Sequence, residues 1–178
     1  TGEAALEGFD EVENWYNQLS PEDRNWYENW VSSQPPEKQG EALSYARRVQ
    51  DQYISDPQAR VQMRQSVLDE YMSQGVKQEN RASMGAIVLT DENPANKRRA
   101  LEENGFTKPP TQGSQAPSVE DLLGAPGAYD TRTNNVMFST TLLRQDRGAN
   151  YVTDVVGHEL AHQTADSTQT GKFLIGKD

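Results

Sequence analysis

The 178-residue chain contains no cysteine. That absence excludes a disulfide framework and any thiolate-held zinc. It fits a protein that meets more than one redox environment. No stretch of 18 consecutive apolar residues occurs, so no membrane span is expected. No signal peptide is visible at the start, and Thr1-Gly2 without Met reads like a piece cut from a longer protein. Apolar residues are scarce at 34%, against 25% charged, so long polar loops are expected. Basic residues are outnumbered, 17 against 27 acidic, for a net charge of −10. This argues against nucleic-acid binding, which needs clustered Lys and Arg, and against anionic membrane surfaces. The acidity serves solubility, or else complements a basic partner. Histidine is scarcest of all among the residues present that bind metals: there are two.

What is present divides into three stretches. The first third has helical spacing, in Phe9, Val12, Trp15, Tyr16 and Leu19. Ser20-Pro21-Glu22-Asp23 is a helix start, followed by the stripe Trp26, Tyr27, Trp30 and Val31. Pro35-Pro36 breaks the pattern. A third helix is expected with Ala42, Leu43, Ala46, Val49 and Tyr53 inward, and a fourth from Asp56-Pro57 to Gly75. The tryptophans read as helix-packing core, with a ligand platform as the alternative. In the middle, Ala86–Leu89 reads as a short buried strand, and Asn93-Pro94 opens a helix that Gly105 closes. The Pro-, Gly- and Ser-rich run from Lys108 to Pro117 reads as a mobile loop or linker, placing a flexible loop near 106–118. In the last third, Ala128–Asp130 and Asn135–Ser139 flank the polar turn Thr131–Asn134, a β-hairpin pattern. Asn150 can cap a final helix from Tyr151, with Val152, Val155, Val156 and Leu160 on its apolar face.

Both histidines fall on that last helix, in His158-Glu159-Leu160-Ala161-His162. Positions i and i+4 share a helical face, so both imidazoles can reach one metal ion. Glu159 can then act as general base on a metal-bound water. For a chain with two histidines, this string arises by chance on the order of once in a thousand. A catalytic zinc takes three protein ligands and leaves one position open. With no other His or Cys, the third ligand must be Asp or Glu. Asp166 is the nearest one downstream. On a straight helix it stands about 12 Å of rise from His158, too far, so it binds only if the chain folds back after His162. Otherwise it is a helix-terminal carboxylate, or the ligand lies beyond Asp178. Asp154, one turn before His158, either orients that imidazole or simply favours the helix dipole. An extended substrate can pair by strand addition with Val136, Met137 and Phe138, and Tyr129 or another phenol can donate to the oxyanion.

Val155-Val156-Gly157-His158-Glu159-Leu160-Ala161-His162 resembles the active-site helix of zincin metallopeptidases. The resemblance implies that His158 and His162 are zinc ligands and that Glu159 is the catalytic base. The metzincin extension is not matched, since Ala165 and Thr168 stand where it has Gly and His. Nor does the usual gluzincin layout fit, as only 16 residues follow His162. A compact, aspzincin-like variant fits better. With Gly127–Asp130, Val136–Ser139 and Leu142-Leu143 ahead of the helix, residues 84 to 170 look like the zincin-like effector domains that end bacterial polymorphic toxins. That resemblance implies secretion, delivery into a target cell, and an immunity or inhibitor protein as partner.

The expected architecture is therefore α+β. A helical segment, 1–80, precedes a zincin-like domain, 81–178, with a small antiparallel sheet and an active-site helix. The expected function is zinc-dependent endopeptidase activity on a protein or peptide substrate. The rival is a non-catalytic interaction or delivery module on a zincin-like scaffold with an incomplete ligand set.

Overall fold

The aromatic-rich start of the chain folds as its periodicity requires. In the computed structural model, which describes residues 11–74, 85–108, 113, 118–148, 150–165 and 173–175, residues 11–18 are helical (α1). Helix α2 spans Pro21–Ser32: Ser20 Oγ accepts from the Asp23 amide at 3.2 Å, and Pro21 occupies the first turn. A 3-10 turn at Pro36–Lys38 leads into α3, Gln39–Ala46. Trp15 meets Tyr27 edge-on, and Trp26 stacks on Trp30 at 6.1 Å. Tyr27, Trp30, Ala42, Tyr45 and Ala46 are buried; of the three tryptophans Trp30 alone is in this core, and Trp15 and Trp26 are half-buried at its edge. These elements belong to one compact unit, Thr1–Arg48; the second is Val49–Asp178.

The second unit is built on a five-stranded mixed sheet in the order β1-β2-β4-β3-β5. Its strands are β1 Val49–Tyr53, β2 Ile87–Thr90, β3 Gly127–Asp130, β4 Asn135–Ser139 and β5 Phe173–Ile175. Strands β1, β2 and β4 are parallel, while β3 runs antiparallel to both β4 and β5. The expected sheet was antiparallel throughout, and this corrects it. Helix α4, Pro57–Gln74, joins β1 to β2, and a helix between two strands returns the chain so that they run parallel. The division at Arg48 also departs from the expected boundary at 80. Val49 and Tyr53 are not the end of a third helix, because the chain leaves α3 at Ala46 and pairs Val49 with Ile87. Sheet pairing there outweighs a weak local helical pattern.

Helices cover both faces of the sheet. Helix α5, Pro94–Glu103, and the short α6, Val119–Leu123, bury Ala100, Leu101 and Leu122 with Val88, Ala128 and Met137. Asn93 Oδ1 caps α5, accepting from the Ala95 and Asn96 amides. Gly105, at φ 79°, closes it: the Phe106 amide reaches back to the Leu101 carbonyl at 2.9 Å. Phe106, the first residue of the expected flexible loop, is thereby anchored in the core at 1% exposure. Most of that loop, and Gly75 as the stop of α4, lie outside the described residues. On the opposite face α4 packs against the last helix, α7, Tyr151–Ala165. The predicted hairpin is present as β3–β4. Buried Asp130 holds its turn, accepting from Thr133 Oγ1 at 2.7 Å, and Asn134 takes a left-handed φ of 63°. Among the described residues no helix is long and apolar enough to cross a membrane.

Candidate active site

Helix α7 carries the H-E-x-x-H string across the β3–β4 hairpin. The Asp154 amide donates to the Asn150 carbonyl at 2.9 Å, setting the first turn, and Thr153 Oγ1 reaches Glu70 of α4 at 3.3 Å. Val155, Val156 and Glu159 are buried, His158 is half-buried and Asp154 is exposed. One helical turn separates Val155 from Glu159, so both face the sheet together.

What they meet is a glycine. A Cβ on Gly127 would stand 3.1 Å from Val155 Cγ1, 3.3 Å from Glu159 Cγ and 3.3 Å from the Met137 carbonyl. A side chain there would require Val155 and Glu159 to give by a few tenths of an ångström. Glycine within a strand pattern often marks such a close backbone approach. Gly127 was visible in the sequence, but nothing there linked it to Glu159.

The consequence is electrostatic. Glu159 has 0% exposure, and neither carboxylate oxygen has a hydrogen-bond partner among the described residues. Burial alone pushes its pKa up from 4.5 to about 8. The sequence named Glu159 as a base but did not indicate this degree of desolvation.

The wall behind Gly127 is held by a second polar group. Lys97 of α5 is 1% exposed, and its Nζ donates to the Leu123 and Ala125 carbonyls at 2.7 and 2.8 Å. Burial pushes its pKa down, against the pull of the Glu92 carboxylate. The Ser139 amide donates to the Pro126 carbonyl at 3.0 Å, and Ser139 Oγ to Glu92. These contacts fix the turn from α6 into β3. They were not foreseen, because a lysine on a charged helix reads as solvent-facing.

The remaining expected residues are distributed as follows. Val136, Met137 and Phe138 are fully buried in β4, an interior strand paired with β2 on one side and β3 on the other. Both of its backbone edges are engaged, so it cannot receive a substrate strand, and that expectation is corrected. Tyr129 is buried, and its hydroxyl donates to Asn134 in the hairpin turn. His162 lies on α7, but its side chain is outside the described residues, as is the whole of Asp166. The helix persists through Ala165. The chain therefore does not fold back between His162 and Ala165, the condition on which Asp166 could reach the metal with both histidines. Among the described residues no three His, Cys, Asp or Glu side chains converge as a metal site. Comparison of the chain with family models, curated proteins and solved structures finds no match.

Proposed function

We propose that the second unit is a zinc-dependent peptidase with Glu159 as its general base. The observation that carries this reading is the burial of the Glu159 carboxyl, with neither oxygen partnered among the described residues, within the turn between His158 and His162. Leaving a carboxyl in that state costs stability without adding packing, which fits a group retained for chemistry. Two imidazoles and a carboxylate oxygen are a donor set that suits zinc. In this reading His158 and His162 would hold the ion, with the third ligand a carboxylate outside the described residues. When bound, zinc supplies a Lewis acid that polarises the scissile carbonyl and acidifies water.

Glu159 takes a proton from the attacking water as the water oxygen joins the carbonyl carbon. It passes that proton to the peptide nitrogen as the C–N bond breaks, leaving a carboxyl and an amine. The base must start ionised. A nearby cation favours the carboxylate, opposing the desolvation that holds its proton to about pH 8. The likeness of the motif to zincin-like effector domains extends the reading to a delivered bacterial effector. Its substrate would be a protein or peptide, and an immunity protein would be its inhibitor.

The test pairs zinc content with hydrolysis of an unfolded protein such as casein. Glu159→Gln should keep the wild-type zinc stoichiometry and lose at least about 100-fold in rate, the usual weight of a general base. A fully active Glu159→Gln variant would refute the assignment.

A further inference from the structure

Strand β3 has two backbone edges. One pairs with β4. The other pairs with β5, with Ala128 opposite Ile175, Tyr129 opposite Leu174 and Asp130 opposite Phe173. β3 is also the strand that touches the Glu159 side chain, through Gly127. Its outer edge is therefore an obvious place for an extended peptide to lie beside that carboxyl. Extended peptides commonly bind by adding a strand to an open edge, and their main-chain hydrogen bonds supply much of the affinity. β2 and β4 are interior, and β1 is at the far side of the sheet. A peptide that pairs with β3 must take the place of β5.

We propose that β5 is an intramolecular occupant of the substrate-binding edge of β3, an autoinhibitory strand that a peptide substrate displaces. The inhibitory role rests on the peptidase reading of Glu159. Strand β5 is three residues long, and its described pairing is with β3. So short an edge strand opens at low free energy compared with the core of the sheet. Its sequence, Phe173-Leu174-Ile175 between Lys172 and Lys177, gives the class of competing ligand. That ligand is an extended, apolar peptide with basic flanks, matching the acidity of the chain.

The test uses the full chain carrying Phe173→Pro and Leu174→Pro together. Successive amides point to opposite edges, so the pair removes a ladder donor whichever one faces β3. Amide exchange at Ala128–Asp130 should accelerate, while Val88 and Met137 stay protected. An intramolecular competitor closed ten times as often as open raises KM about tenfold without changing kcat. The double variant should therefore show the reverse, a KM several-fold lower at similar kcat. An unchanged or higher KM with β3 exposed would overturn the proposal.

A second measurement is independent of catalysis. A fluorescein-labelled Lys-Phe-Leu-Ile-Gly-Lys peptide is titrated into the double variant in a Glu159→Gln background. Saturable binding, weaker in the chain with β5 intact, supports the β3 edge as the binding site and β5 as its occupant. It does so even if no Glu159 chain hydrolyses peptides, in which case the peptidase reading alone falls. No binding to the double variant overturns the proposal. Should the prolines also expose Val88 and Met137, the unlabelled peptide added to wild-type chain decides. Competitive inhibition of hydrolysis supports the proposal, and its absence overturns it.

Discussion

Glu159→Gln should make the metal-free protein more stable, by an amount that depends on pH. The folded carboxyl keeps its proton to about pH 8, whereas an unfolded one releases it near 4.5. Below about pH 4.5 both states hold the proton, and titration costs nothing. Between the two values the unfolded state has lost the proton and the folded state has not. Stability therefore falls as pH rises, by about 1.36 kcal/mol per unit at the steepest, and levels off above pH 8. The accumulated cost is about 1 kcal/mol at pH 5, about 3 kcal/mol at pH 7 and close to 5 kcal/mol at pH 9, as orders of magnitude. Glutamine fills the same space and does not titrate, so the variant should lose this slope. The assay is urea unfolding of chelator-treated protein at pH 5, 7 and 9, followed by circular dichroism. Tryptophan emission is unsuitable, because Trp15, Trp26 and Trp30 all lie in the first unit. If the wild-type and Glu159→Gln stabilities stay a constant distance apart from pH 5 to 9, Glu159 is not desolvated as described.

Two further substitutions probe the same site from other sides. Gly127→Ala adds a methyl 3.1 Å from Val155 and 3.3 Å from Glu159; it should destabilise the second unit by about 1–3 kcal/mol. It should also lower kcat more than it raises KM, since it moves the base; steady-state kinetics with normal values would separate Gly127 from the site. Asp166→Ala should leave zinc affinity unchanged in a competitive chelator titration, because α7 runs straight past His162 to Ala165; weakened binding would return Asp166 to the ligand set.

The local elements were legible because local chemistry builds them. Ser20-Pro21 and Asn93-Pro94 cap their helices as read, Gly105 ends α5, and the turn around Asn134 makes the expected hairpin. The sheet was less legible, because its order depends on partners far apart in sequence. Val49–Tyr53 carries enough helical spacing to extend α3, and only the register with Ile87 and Val88 makes it a strand. That single element turns a helical segment into part of the sheet and moves the unit boundary to Arg48. The same long-range pairing removes Val136–Phe138 from substrate contact. A run as short as Val136-Met137-Phe138 does not by itself tell an edge strand from an interior one, although only the edge can accept a peptide.

The chemistry divided in the same way. The H-E-x-x-H spacing is a helical period and could be read directly, whereas the environment of Glu159 could not. Its side chain packs against Gly127, 32 residues earlier, and the turn leading to Gly127 is held by Lys97, 30 residues earlier again. Each of the three is locally unfavourable: a buried acid, a glycine in a strand, and a buried lysine on a polar helix. Together they are consistent. Lys97 fixes the carbonyls of Leu123 and Ala125, the fixed turn delivers Gly127 to the helix, and the missing side chain lets Glu159 sit out of water between two histidine positions. Residues that each weaken the local fold yet agree on one location are more informative about function than the motif alone, because packing by itself would favour none of them.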